Sequence, residues 1–214
     1  MMRLRRVIRQ VILQEALDEG LINRLPKKLQ AGIRELERLG LHIVSDWSPE
    51  EYDNGSANSI HLSVFDDLGV QKAYWIGGYQ VEGACLDSYQ CTNTNAQDLR
   101  GTGIGALLYD VACELTGEKG VSSDRNEVSP SAWRMWKYMT LNDQTYDIKG
   151  SYDWDGEQTP DDPSDDCFGV AWEQHLDHWN NPNNHPLNHV FVKKDRSRPT
   201  LACLELRKLI EYEE

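Results

Sequence analysis

Long apolar runs, paired cysteines and net positive charge are all lacking in this sequence. No stretch of its 214 residues approaches the length of a membrane-spanning helix, so no transmembrane segment is predicted. The five cysteines are odd in number and lack the paired spacing of a zinc knuckle, which argues against a disulfide framework and a structural zinc and favours a reducing cytoplasm. A net charge of -13 opposes nonspecific binding to a nucleic-acid backbone.

Positive charge is concentrated in residues 1–40, which hold nine basic and five acidic residues. Residues 3–22 have apolar side chains at helical spacing with arginines between them, which predicts an amphipathic helix. We favour a helix packed on its own domain over one that docks on a membrane surface or a protein partner. A second helix is predicted from Pro26 to Leu39, with Gly40 as its stop.

After Gly40 the apolar period changes to that of strands. The segments Leu41–Val44, Ile60–Phe65 and Gln71–Val81 are rich in β-branched and aromatic residues, and turn residues separate them. They predict an antiparallel meander, which residues 83–92 can continue before a polar loop over residues 93–98.

A helical stripe then starts at Ile104 and ends at Gly117, and a short strand is predicted over residues 120–124. Ser129 and Pro130 have the residue types of an N-cap and a first helical position, and they open a helix that reaches Met139.

Regularity fades beyond Leu141. Residues 153–166 hold seven acids and are interpreted as a solvated loop, with a surface for a cationic acceptor as the alternative. His189–Lys193 is a predicted strand, and the segment Leu201–Ile210 is amphipathic without a clear choice between helix and strand. A loop without metal is favoured over a metal site for the histidine-rich segment that holds His175, His178, His185 and His189.

The most informative feature is the glycine-rich turn before the helix at Ile104. Glycines permit backbone angles and close approaches that a side chain would block, and the free N–H groups of a helix start carry partial positive charge. Such a turn can hold phosphate oxygens, or it can simply allow a helix start to pack tightly against a strand. The turn and the residue after it are Arg100, Gly101, Thr102, Gly103, Ile104, Gly105 and Ala106.

Two phosphate-binding motifs fit this turn poorly. A P-loop requires lysine and serine or threonine after its last glycine, whereas Ala106 and Leu107 stand here. The spacing does satisfy a dinucleotide-binding fingerprint, with Asp124 as a candidate ribose ligand. That fingerprint requires a buried parallel strand before the first glycine, and residues 93–98 are too polar to form one.

The turn resembles the coenzyme A motif of the GNAT superfamily of acyl-CoA-dependent N-acyltransferases. That motif is Arg/Gln-x-x-Gly-x-Gly/Ala, and it matches here from Arg100 to Gly105. The order of elements over residues 41–140 is also similar to the GNAT arrangement. The stretch from Val121 through Trp136 is similar, more loosely, to GNAT-like proteins of tailed phages.

The resemblance implies an α+β fold with a mixed, mostly antiparallel sheet flanked by helices. The GNAT-like core would span residues 41–140, preceded by the N-terminal helical segment 1–40 and followed by an irregular acidic region, 141–214, packed on the core. It also implies that the backbone N–H groups of residues 102–106 bind the pyrophosphate of acetyl-CoA, with Arg100 adjacent. The location would be the cytoplasm, that of the host if a phage encodes the chain.

One position departs from the family pattern. Members often carry a tyrosine on the helix after the fifth strand that protonates the departing thiolate, but Trp136 or its neighbour Met135 stands there. An indole donates a hydrogen bond but is not a useful general acid. Tyr138 is therefore the predicted acid, with Tyr146 or solvent as alternatives. Glu82 is the predicted base, chosen over Asp87 and Tyr89 on the same predicted strand.

Two functions follow from the resemblance. The first is an N-acetyltransferase that acts on an unidentified small-molecule or protein amine, for which a cationic acceptor suits the acidic stretch. The second is a noncatalytic GNAT-like protein that binds a phage or host partner, through the N-terminal helix among other surfaces, and still binds coenzyme A.

Overall fold

A computed structural model describes residues 19–47, 59–79, 88–123, 128–151 and 189–213. Most of the predicted N-terminal helix lies outside these ranges, although residues 19–22 are helical. Glu82, Asp124, the acidic stretch 153–166 and three of the four histidines considered as metal ligands also lie outside the described residues.

The centre of the fold is an eight-stranded sheet in the order β6-β7-β5-β4-β3-β2-β1-β8. Five neighbouring pairs are antiparallel, and two pairs, β4 with β5 and β1 with β8, are parallel. The sheet is therefore mostly antiparallel, as the sequence predicts, and with the helices it gives an α+β fold. The strands are β1 Leu41–Trp47, β2 Ser59–Asp66, β3 Gln71–Tyr79, β4 Tyr89–Asn95, β5 Val121–Ser122, β6 Tyr146–Ser151, β7 His189–Lys193 and β8 Ile210–Tyr212.

Local capping residues set the ends of two of the predicted helices. The helix α1, Lys27–Leu39, ends at Gly40, whose φ of 63° is left-handed. The helix α3, Pro130–Thr140, begins after Ser129, whose hydroxyl accepts a hydrogen bond from the N–H of Ala132. Both ends agree with the sequence prediction.

The helix α2, Ile104–Thr116, lies in the core of the molecule. Every residue from Ala106 to Thr116 is buried, because α1 packs on α2 while α2 contacts β2, β3, β5 and β7. A fourth helix, α4, spans Pro199–Leu206 and also contacts α2. Among the described residues no helix is long and apolar enough to cross a membrane.

Two predictions about chain segments are corrected, and a third segment, which was left open between helix and strand, is assigned. The polar loop predicted from residue 93 begins later, since β4 reaches Asn95 and pairs with β3 throughout. The region after Leu141 is not irregular where it is described, because β6, β7 and β8 all join the central sheet. The segment Leu201–Ile210 contains both a helix end and a strand start, separated by Lys208 in a left-handed conformation with φ of 57°.

Candidate functional site

The glycine turn connects β4 to α2 and requires two of its glycines for backbone reasons. Gly101 and Gly103 have φ angles of 82° and 91°, in a backbone region that residues with a Cβ rarely adopt. A short 3-10 turn at Gln97–Leu99 lies between the strand and these glycines. The local sequence therefore folds into a tight turn at the start of a buried helix.

Gly103 also packs against the backbone of α1. A Cβ on Gly103 would lie 2.5 Å from the carbonyl oxygen of Lys28 and 2.8 Å from the nitrogen of Gly32. The contact is reciprocal, because a Cβ on Gly32 would lie 2.8 Å from the carbonyl oxygen of Gly103. Gly103 is therefore explained by tight packing. It packs against the helix α1, whereas the sequence had suggested packing against a strand.

Gly105 is different, since the protein's own packing leaves room for a side chain there. A Cβ on Gly105 would approach only Ala96, at 3.8 Å, which is ordinary van der Waals contact. The residue lies in the first turn of α2 and does not have the left-handed backbone of Gly103. The fold therefore does not require a glycine at position 105. A ligand that approaches the helix start closely would require one.

Not all of the predicted backbone donors are available. The N–H of Thr102 donates to the carbonyl of Leu99 at 3.3 Å, and that of Ile104 donates to the Thr102 hydroxyl at 3.2 Å. The N–H groups of Gly103, Gly105 and Ala106 have no acceptor among the described residues. These three groups are the donors that the helix start offers to an anion.

Arg100 lies at the entrance to this turn. Its side chain is exposed and forms no hydrogen bond or ion pair with any described residue. The guanidinium therefore adds a positive charge beside the helix start without a carboxylate of the described chain to offset it.

Next to the turn, β4 extends beyond its neighbour β5. The two strands pair only at Tyr89 with Val121 and at Gln90 with Ser122, whereas β4 continues along β3 to Asn95. No described strand pairs with residues 91–95 on the β5 side. The pairing also shifts opposite Ile76 and Gly77, which leaves Thr92 as the extra residue of a β-bulge in β4.

The structure places Trp136 and Met135 in the core. Trp136 is 1% exposed, with its ring edge-on to Tyr109 at 4.9 Å between centroids and stacked on Phe191 at 5.7 Å. Met135 is also buried. The residues at the position that the resemblance gives to a tyrosine therefore pack the interior.

Tyr138 is half-buried on the same helix, and the ammonium of Lys28 lies over its ring at 4.3 Å from the centroid. Burial raises the pKa of the Tyr138 phenol, Asp110 raises it further, and Lys193 opposes both. Tyr138 thus lies near a buried cluster of charges that the sequence analysis did not identify.

That cluster joins α2 to β6, β7 and α4. The ammonium of Lys193 lies 2.5 Å from Asp110 and 3.3 Å from Glu114, and all three side chains are buried. Asp110 also accepts hydrogen bonds at 2.6 Å from the hydroxyls of Tyr146 and Thr200. The cluster gives both α2 carboxylates polar partners in the core.

Glu114 caps the N-terminus of α4. Its two oxygens accept the N–H groups of Thr200 at 3.0 Å and Leu201 at 2.8 Å. Burial raises the pKa of Glu114 and Asp110 adds to this, while Lys193 and the two backbone donors oppose it. The pKa of Lys193 is lowered by burial but raised in net by the two carboxylates.

The sequence carries a signal for this cluster. Asp110 and Glu114 are four residues apart in an otherwise apolar helical stripe, so they share one face of a helix. Lys193 likewise ends a strand of buried residues. Charged residues at core positions indicate an ion pair, since isolated buried charges are costly.

The remaining candidate residues give little further chemistry. His189 is buried at the start of β7, and His175, His178, His185 and Glu82 lie outside the described residues. The described part of the chain contains no group of three or more His, Cys, Asp or Glu residues that could hold a metal. Cys91 is buried.

Comparisons with protein-family models, with curated proteins and with solved structures gave no match for this chain.

Proposed function

We propose that this protein is an N-acyltransferase that transfers the acetyl group of acetyl-CoA to an amine. The observation that carries the proposal is the start of α2, where the N–H groups of Gly103, Gly105 and Ala106 have no acceptor among the described residues. With the exposed Arg100 beside them, they form a site suited to a pyrophosphate. The match of residues 100–105 to the GNAT coenzyme A motif supports the same ligand.

The extension of β4 beyond the two residues of β5 supports a bound thioester next to this turn. A ligand with its pyrophosphate on α2 could extend along residues 91–95, where no described strand occupies the β5 side. The bulge at Thr92 interrupts the regular ladder of β4, and backbone groups at bulges often serve active sites. A backbone N–H group of β4 at this bulge would stabilise the oxyanion of the tetrahedral intermediate.

The antiparallel neighbour of β4 argues against the dinucleotide alternative. A dinucleotide-binding turn follows a buried parallel strand, whereas β4 runs antiparallel to β3 along its length and parallel to β5 at only two residues. Thr92, Asn93 and Asn95 are also exposed, which is unlike a buried central strand.

In the reaction the amine nitrogen attacks the thioester carbonyl, the C–S bond breaks, and the thiolate takes a proton. Tyr138 is the proposed acid, because its phenol is half-buried on α3 while Trp136 is committed to the core. Glu82 remains the proposed base for the proton that the amine loses. The acceptor amine is unidentified, and the acidic stretch 153–166 suits a cationic one.

The buried Trp136 also favours a second candidate function. A chain in which the usual acid position packs the core could bind coenzyme A and a protein partner without catalysis. The predicted N-terminal helix and the acidic stretch would then be partner surfaces.

Two assays separate these functions. Acetyl-CoA at 100 times its Kd stabilises the folded chain by about 2.7 kcal/mol, which is a rise in Tm of about 5–10 °C for a chain of this length. NAD is expected to give no rise, and a rise with NAD alone would restore the dinucleotide alternative. Release of free thiol on addition of amines, polyamines or lysine peptides supports catalysis, while binding without thiol release across this panel supports the noncatalytic protein.

A further inference from the structure

We propose that Lys28 is a positioning residue for Tyr138. The charge of Lys28 holds the tyrosine ring in place and stabilises the phenolate after the phenol has given up its proton. The inference rests on the proposed acyl transfer, in which the thiolate takes the phenol proton. The proton that the amine loses passes through Glu82 to solvent, and solvent then returns a proton to the phenolate.

The contact between the two residues is direct. The Lys28 ammonium lies over the face of the Tyr138 ring, 4.3 Å from its centroid. A cation at this distance is attracted by the negative face of an aromatic ring. Lys28 forms no side-chain hydrogen bond or ion pair with the described residues, so the ring is its principal partner there.

Lys28 also lies against the glycine turn. Its carbonyl oxygen faces Gly103 so closely that a Cβ there would lie 2.5 Å away. One residue of α1 therefore contacts the turn through its backbone and the proposed acid through its side chain. Substituting the side chain leaves the backbone contact in place, so the two roles can be tested separately.

The charges around Tyr138 explain why a cation matters. Burial and the carboxylate of Asp110 raise the pKa of the phenol, and Lys193, bound between two carboxylates, offsets them only in part. Tyr146 is close enough for Tyr138 to affect its pKa. The Lys28 ammonium is a further positive charge close to the ring, and a nearby positive charge favours the phenolate.

The experiment compares Lys28→Met with Lys28→Arg and with Lys27→Met, the neighbouring exposed lysine on α1. Lys28→Met is expected to lower kcat about two- to fivefold, which corresponds to the roughly 0.5–1 kcal/mol of a cation over an aromatic ring at an exposed site. It should also move the alkaline limb of the kcat profile to higher pH, because the phenol then loses its proton less readily. Affinity for CoA should stay within about twofold, Lys28→Arg should restore most of kcat, and Lys27→Met should change nothing.

A second measurement does not depend on activity. With 3-fluorotyrosine incorporated, the ¹⁹F resonance that disappears in Tyr138→Phe should shift in Lys28→Met and stay in place in Lys27→Met. An unchanged resonance would overturn the inference, and so would a loss of CoA affinity as large as the loss of kcat, which would make Lys28 a phosphate ligand instead. A further kcat loss from Lys28→Met in the Tyr138→Phe background would overturn it as well. If the unaltered chain neither binds CoA nor releases thiol, the proposed function fails, whatever the resonance shows.

Discussion

Removing the charge of Lys193 should be among the most destabilising single substitutions in the described part of this chain. The Lys193→Met variant keeps much of the apolar stem but leaves Asp110 and Glu114, both with fully buried side chains, without their shared cation. Breaking a buried ion pair from one side costs about 3–5 kcal/mol, which is a large part of the roughly 5–15 kcal/mol that holds a domain folded. The hydroxyls of Tyr146 and Thr200 do not supply the missing charge.

The stability lost in Lys193→Met should depend on pH, because the pKa of Glu114 depends on Lys193. The pKa of Glu114 is raised in the folded chain, so its contribution to stability is present below the ordinary glutamate pKa of about 4.3 and is lost as pH rises through the raised value. Without Lys193 that pKa should rise further, because one opposing charge is gone. The destabilisation should therefore be smaller at pH 5 than at pH 7, since the folded variant can take up a proton on Glu114.

Urea unfolding of the unaltered chain and of Lys193→Met at both pH values measures this directly. The double variant Asp110→Asn, Lys193→Met is the control, and its loss should be smaller than the sum of the two single losses because the partners are in contact. A loss below about 1 kcal/mol at pH 7, or strict additivity in the double variant, would refute the account of the cluster.

The other predictions concern the turn and the proposed acid. Gly103→Ala should destabilise the fold by at least about 2 kcal/mol, because its φ is left-handed and its Cβ would meet α1. Gly105→Ala should stabilise it slightly, by up to about 1 kcal/mol, and thermal unfolding distinguishes the two. Tyr138→Phe should lower kcat on the order of a hundredfold with CoA affinity unchanged in steady-state kinetics and calorimetry, and equal turnover would exclude the phenol as the acid. Arg100→Ala should weaken CoA binding by less than a charge-reversing change within the turn, since the backbone donors remain, and unchanged affinity would exclude contact with the phosphates.

Local signals in the sequence were sufficient for the elements that depend on them. The stop at Gly40, the cap at Ser129 and the apolar stripe of α2 each act over a few residues, and the structure contains all three. Local signals do not predict the strand β6, because it forms by pairing with β7, which lies in a distant part of the sequence. The polar end of β4 was missed for the same reason, since Asn93 and Asn95 become strand residues only by pairing with β3.

The site shows the same division. Sequence spacing located the turn and its left-handed glycines, but it could not show that Gly103 packs on Gly32 of a distant helix while Gly105 does not pack closely on any residue. Nor could it show that one of the predicted donors, the N–H of Ile104, already donates to the Thr102 hydroxyl. The contact between Lys28 and Tyr138 likewise joins two segments far apart in the sequence.

The central claim is that the start of α2 binds the pyrophosphate of coenzyme A, and calorimetric titration of CoA into three proteins tests it most directly. Gly105 is the position to change, because a side chain there meets only Ala96, at 3.8 Å. The unaltered chain should bind, Gly105→Ala should stay folded and bind more weakly, and Gly105→Asp should stay folded and lose binding, because its carboxylate would repel the phosphates. Binding by Gly105→Asp with the affinity of the unaltered chain, or no binding of CoA at millimolar concentration by the unaltered chain, would contradict the claim.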